Sequence, residues 1–221
     1  MREKIILSWS GGKDSTLALY ELMKGDYDIK LLTTITDEYG RISMHGVREA
    51  LLEQQARALG CPLEKVYITP RSSNAEYETK MTEVMERYKR LGVNRVAFGD
   101  LFLEDIRKYR ENNLARLGMQ TVFPLWGRDT RELAGIFIGL GFKSIITCVD
   151  TDILDGDFAG RLFDEELLSD LPDYIDPCGE KGEFHSFVFD GPVFSKAIAF
   201  STGKKVLRDN RFCFCDLVPD R

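Results

Sequence analysis

Residues 4–20 constrain the fold more than any other stretch of the chain. The run Lys4-Ile5-Ile6-Leu7-Ser8-Trp9 is apolar, Ser10-Gly11-Gly12-Lys13-Asp14-Ser15 follows at once, and Thr16-Leu17-Ala18-Leu19-Tyr20 opens a helical pattern. A strand that passes through paired glycines into a helix makes a phosphate-binding turn. Glycine lets the backbone turn tightly and bring its N–H groups to an anion, and the helix turns its positive end to the same point. Gly11 and Gly12 give the close approach, Lys13 a compact cation, and Ser10 and Ser15 hydroxyl donors. A carboxylate here is repulsive to polyphosphate unless it holds Mg²⁺ or caps the helix, and for Asp14 both readings stay open. With no four-residue spacer between the glycines, the turn is not a GxxxxGK[ST] loop.

Strand-like and helix-like segments then alternate. Short apolar runs predict strands over 4–9, 30–36, 64–69, 94–99, 120–123 and 143–149, with helices near 14–24, 46–59, 75–91, 101–117 and 129–140. Gly60 sits where the second helix should end. This alternation predicts an α/β fold with a doubly wound parallel sheet, whose ligands bind beyond the carboxyl ends of the strands, where the Ser10–Ser15 turn falls. After Asp150 come acidic loops, an acidic helical piece over Phe163–Leu171, and runs expected as strands at 184–189, 193–200 and 211–218. The expected division is 1–150, a phosphate-binding domain, and 151–221, a smaller α+β domain.

Composition narrows the class. With 221 residues and 43% hydrophobic content the chain can bury a full core, no stretch reaches membrane-span length, and no signal-peptide block opens it. A cytoplasmic protein is expected. A net charge of −6 argues against general nucleic-acid binding. Five cysteines, an odd number scattered along the chain, argue for thiols, with Cys213 and Cys215 as small residues of a C-terminal strand and not zinc ligands.

The Ser10–Ser15 turn resembles the Ser-Gly-Gly-x-Asp-Ser loop of the N-type ATP pyrophosphatases, or PP-loop enzymes. Combined with Gly99-Asp100 and the late segment Asp176-Pro177-Cys178-Gly179-Glu180-Lys181-Gly182-Glu183-Phe184-His185, it is similar to the diphthine–ammonia ligase family over nearly the whole chain. The resemblance implies a Rossmann-like PP-loop domain and a smaller acceptor-binding domain. It implies an ATP-dependent ligase that adenylates a carboxylate and passes ammonia to it, releasing AMP and pyrophosphate. ATP would lie against Ser10, Gly11, Gly12, Lys13, Asp14, Ser15, His45, Gly99 and Asp100, with Mg²⁺ at Asp14 and Asp100. Acceptor or ammonia would meet Glu104, Glu180, Gly182, Glu183 and His185, and Lys13, Asp14, Asp100, Glu183 and His185 would carry the chemistry.

The late segment departs from the family's Glu-Gly-Gly-Glu-Phe/Tyr-Glu-Thr at Lys181 and at His185-Ser186. Segments 43–48, 98–105 and 124–127 look like a bacterial branch. The departures leave the acceptor open, and the bacterial resemblance implies a small carboxylate, a corrinoid side chain being one family-level suggestion, beside diphthine on an elongation factor. Homodimer formation is left open. Two alternatives stand beside the ligase: a PP-loop enzyme that modifies tRNA, and a nucleotide sensor without turnover.

Several residues carry a plainer reading as well. Glu104 and Asp105 suit the first turn of a helix as charges against its dipole. Glu180 and Glu183 could be a solvated hairpin tip, or two carboxylates that need a cation. An unperturbed His185 could take a proton from ammonium, and His45 could touch nucleotide or acceptor. One of Arg107, Lys108, Arg110, Arg128 and Arg131 could clamp an anion, and Tyr39 or Trp126 could stack on a ring.

Overall fold

A computed structural model describes residues 2–38, 40–42, 45–69 and 73–220. Tyr39, and Ser43 and Met44 of the family-like segment, lie outside the described residues. The first sheet is built from β1 (Glu3–Ser8), β2 (Tyr27–Thr36), β3 (Arg41–Ile42), β4 (Leu63–Ile68), β5 (Arg95–Ala97) and β6 (Gln120–Val122). Its parallel strands run in the order β4-β2-β1-β5-β6, with short antiparallel β3 on the last two residues of β2. The chain winds outward from β1 in one direction to β4 and returns to build β5 and β6 on the other side. Strand order therefore reverses between β1 and β5, and at such a switch point the loops leaving the two strands diverge and open a crevice.

Helices α1 (Lys13–Met23) and α2 (Glu49–Leu59) cover one face, α3 (Asn74–Arg90) and α4 (Glu104–Arg116) the other. β1 shows why both faces must be covered: Ile5 and Leu7 enter one apolar cluster, Ile6 the other, and all three are buried. Each such side chain contributes about 1.5–3 kcal/mol by leaving water. Gly60, left-handed at φ +65°, ends α2 at the expected place.

The second sheet is antiparallel, in the order β8-β7-β10-β9, from β7 (Lys143–Asp150), β8 (Phe184–Asp190), β9 (Phe200–Arg208) and β10 (Phe212–Pro219). It packs on the α1 and α2 face, together with α5 (Thr130–Gly139) and α6 (Glu165–Asp170). Two expectations need correcting. The apolar run at 143–149 is a strand, but it pairs with β8 and β10 and not with the parallel sheet, so a boundary at 150 cuts between β7 and its partners. The run at 193–200 is irregular up to Phe200, where β9 begins. Val193 and Phe194 pack on the core and Ile198 is buried in it, while the Ser195 N–H and hydroxyl both donate to Ala58 O at 2.8 Å.

Candidate active site

The crevice at the switch point holds a cavity of about 270 Å³. Its walls come from the Ser10–Ser15 turn after β1, from Gly99-Asp100 after β5, from Gly179-Glu180 and Gly182, and from the first residues of β8. The turn is shaped by its own bonds. Gly11 has φ +75°, a left-handed backbone that a side chain would strain. Gly12 N–H donates to Ser10 Oγ at 3.2 Å, Ser10 and Ser15 share a hydroxyl contact at 3.1 Å, and Ser15 Oγ donates to Gly12 O at 3.0 Å. Gly99 is a close approach of backbones: a Cβ there would lie 2.9 Å from Asp14 C and Ser15 N. Glycine at 99 thus lets the start of α1 pack against the end of β5.

Lys13 is buried, 4% exposed. Its Nζ donates to both Asp14 oxygens, at 3.0 and 2.8 Å, and to Cys178 O across the crevice, while its backbone N–H donates to Ser186 Oγ at 3.1 Å. Burial pulls its pKa down, but Asp14, Cys178 and Glu180 together offset this and the ammonium is held above its ordinary range. Asp14 does not cap α1. Gly12 is the capping residue and no side chain completes the cap, so the capping reading is corrected to an ion pair.

Asp100 lines the cavity but is engaged by Arg110. Arg110 Nη2 donates to Oδ1 at 3.0 Å, and Nε and Oδ2 approach to 2.6 Å outside hydrogen-bonding direction. The guanidinium also lies over the Phe98 ring, 4.3 Å from its centre. Of the five cations considered, Arg110 is the one that reaches the cavity. Arg107 lies over Trp126 and Phe123 and pairs with Glu111, Arg128 pairs with Glu21 and Glu132, and Lys108 and Arg131 are exposed. Trp126 packs on Phe123 instead of facing the cavity.

Across the crevice, Glu180 accepts from Leu101 N–H at 2.8 Å, tying the late segment to the loop after β5. Burial drives its pKa up, the Leu101 N–H opposes this, and the nearby Asp14 and Asp100 carboxylates add to the rise, which reaches about 7. Asp176 shapes this loop by accepting from Cys178 N–H at 2.8 Å and Glu180 N–H at 3.3 Å. Glu183 is placed differently from expectation. It is buried, 3% exposed, lines no part of the cavity, and accepts from Asp176 N–H at 3.2 Å, so it braces the loop. Glu104 is also outside the cavity, exposed in the first turn of α4.

The two histidines, His45 from the turn between β3 and α2 and His185 from β8, stack with ring centres 4.5 Å apart. His45 Nδ1 lies 3.2 Å from Ser186 O, which makes it the protonated ring nitrogen. Burial lowers the His45 pKa to about 4, and burial with the His45 and Lys13 charges takes His185 well below its ordinary value. Both rings are neutral at pH 7. The expectation of an unperturbed His185 that removes a proton from ammonium is therefore corrected.

Models of the diphthamide synthase N-terminal domain and C-terminal domain match residues 3–121 and 129–217. The chain belongs to the diphthamide synthase family. Relatives named diphthine–ammonia ligase include one from Danio rerio, 29% identical over 91% of this chain and 88% of its own length. The one from Homo sapiens is 28% identical over 90% and 83%, and the one from Schizosaccharomyces pombe is 26% identical over 97% of this chain and 38% of the relative. Among solved structures, a predicted subunit of tRNA methyltransferase from Methanocaldococcus jannaschii gives a TM-score of 0.48 at 18% identity, covering 86% of this chain and 98% of that one.

In this member of the diphthamide synthase family, one residue of the cavity wall and one residue behind the turn escaped the sequence. Ser186 ties Lys13 and His45 to β8, and Gln55 reaches the turn from α2. Gln55 stands among apolar residues of an amphipathic helix, and a polar residue on the core face was the available signal.

Proposed function

We propose that the chain is an ATP-dependent amide ligase that adenylates a carboxylate, releases pyrophosphate, and transfers ammonia to the acyl adenylate with loss of AMP. The observation that carries this reading is the meeting, in one cavity, of the glycine turn at the start of α1, the Gly99-Asp100 loop, and a carboxyl group with a pKa near neutrality, Glu180. Membership of the diphthamide synthase family supports the same chemistry.

On this reading the turn and the N-terminal end of α1 hold the phosphates, with Ser10 and Ser15 as hydroxyl donors. Lys13 acts first through the turn: its bonds to Asp14 and Cys178 O fix the start of α1 against the late segment. Ammonia must lose protons as the C–N bond forms and the bond to AMP breaks. Glu180 suits the role of acceptor, since a base works best with a pKa near the working pH. The neutral His45–His185 pair contributes a dry wall with no charge to compete for ammonium.

Mg²⁺ fits as a companion of the nucleotide. Among the described residues no three His, Cys, Asp or Glu side chains gather as a metal site, and Asp100 is held by Arg110. Asp14 is itself bonded by Lys13, but at 29% exposure against 15% for Asp100 it is the more open carboxylate in the cavity, and it is the residue that would hold the ion. Bound there, Mg²⁺ supplies positive charge to the departing pyrophosphate.

The acceptor is a carboxylate, carried by a small molecule such as a corrinoid or by diphthine on an elongation factor. No helix among the described residues is long and apolar enough to cross a membrane, and the proposed setting is the cytoplasm. The test is mass spectrometry after incubation with ATP, Mg²⁺, ¹⁵N-ammonium and a panel of both acceptor kinds. One acceptor should gain a ¹⁵N-amide in step with AMP. Formation of ADP in place of AMP would refute adenylation.

A further inference from the structure

We propose that Gln55 is a positioning residue for the phosphate-binding turn, its buried carboxamide fixing Gly11 between β8 and the end of β1 and thereby setting affinity for nucleotide. The residue is fully buried on α2. Its Nε2 donates to Gly11 O at 3.0 Å and to Val188 O at 2.5 Å, and its Oε1 accepts from Trp9 Nε1 at 3.1 Å. Val188 N–H also donates to Gly11 O, at 2.9 Å. One side chain therefore ties together the last residues before the turn, the left-handed glycine inside it, and the strand of the second sheet that carries His185 and Ser186.

The chemistry selects a primary amide. Two carbonyl oxygens need two N–H donors from one atom, while the indole N–H needs an acceptor on the other side. A glutamate at neutral pH would offer no donor to the carbonyls, and asparagine is one methylene too short. Methionine would fill the volume but leave Trp9 Nε1 and Val188 O without their bond, and Gly11 O with one donor of two. The packing is equally demanding from the glycine side. A Cβ at Gly11 would meet Gln55 Oε1 and Leu52 Cδ2, each at 2.7 Å. The turn that Gln55 supports is the one whose backbone N–H groups would face the phosphates, so the inference rests on the nucleotide reading given above.

Titration calorimetry with MgATP on the full chain, without acceptor, separates the two. Wild type should bind. Gln55→Met should bind about tenfold more weakly, the size expected when hydrogen bonds that organise a site are lost. Gln55→Glu should be weaker still at pH 8 and should recover relative to wild type toward pH 5.5, because a protonated carboxyl regains one donor and keeps an acceptor for Trp9. A merely structural role would lower the melting temperature of the variants, measured on the same samples, but leave the Kd of folded protein and the Gln55→Glu to wild-type ratio unchanged with pH. Both variants binding within twofold of wild type across that range would overturn the inference, and Gln55→Met alone decides if Gln55→Glu does not fold. No binding by wild type would overturn the nucleotide reading and this inference with it.

Discussion

Glu180 sits under opposing influences, and its titration is where the chemistry can be read most directly. Burial and the carboxylates of Asp14 and Asp100 raise its pKa to about 7, against the pull of the Leu101 N–H. A base of that pKa is active only when ionised, so turnover should fall as pH drops through about 7, on the acid side of the profile. Glu180→Gln should lose that limb and lower turnover roughly a hundredfold or more. The linkage has a definite sign. A carboxyl whose pKa is higher folded than unfolded binds more protons in the folded state between 4.5 and about 7, so wild type loses stability as pH rises through that window. Chemical denaturation of Glu180→Gln should therefore gain on wild type above pH 7. An acid limb that survives the substitution would move the proton-accepting role elsewhere. The histidines do not compete for this assignment, because burial, with the Lys13 charge, lowers the pKa of each and leaves both weak bases.

At the scale of elements, the candidate site's crevice depends on α1 and β5 meeting without a side chain between them. Gly99→Ala would drive a methyl to within 2.9 Å of the α1 backbone, and backbone yields less readily than a flexible side chain. The substitution should cost about 1–3 kcal/mol in stability by overpacking and shift the turn, visible as a lower melting temperature and weaker MgATP binding. Unchanged values in both would contradict the close packing inferred here. Elements of this half were legible in the sequence because their signals are local: apolar strand, paired glycines, helical period, Gly60 at a helix end. The partner of a strand is not a local signal. The run at 143–149 reads as a buried strand wherever it pairs, so its place in the antiparallel sheet was invisible. β9 was missed for the opposite reason. Eight of its nine residues, Ser201 to Arg208, are exposed, and most of them are polar, while the apolar Val193–Phe200 run that resembled a strand packs irregularly on the core. Contacts across the crevice, such as Lys13 with Cys178 O and Glu180 with Leu101 N–H, join residues far apart in the chain, and no spacing announces them. Residues of the turn and of the late segment could be named in advance; the burial that silences His185 and turns Glu183 inward could not.

For the whole molecule, the second sheet closes the cavity and must be held in place. Beyond the bonds at the crevice, Asp216 of β10 accepts from Arg41 at 2.8 Å and from Arg48 at 2.6 and 3.2 Å, and Gly46 packs against the Phe214 ring. This clamp grips the segment that carries His45. Desolvation raises the Asp216 pKa, but bonds from Arg48 and Arg41 outweigh it, and the carboxyl titrates below its ordinary range. Asp216→Asn should cost about 1 kcal/mol for a half-exposed network and reduce turnover more than MgATP affinity. A variant with wild-type stability would mean the clamp is incidental. The two sheets together are proposed to adenylate a carboxylate before ammonia arrives, and exchange of labelled pyrophosphate into ATP tests this without ammonia present. With MgATP and the panel of carboxylates, exchange should appear with one acceptor and be absent without it. Amide formed with that acceptor when ammonia is added, but with no pyrophosphate exchange beforehand, would contradict an adenylate formed ahead of the transfer.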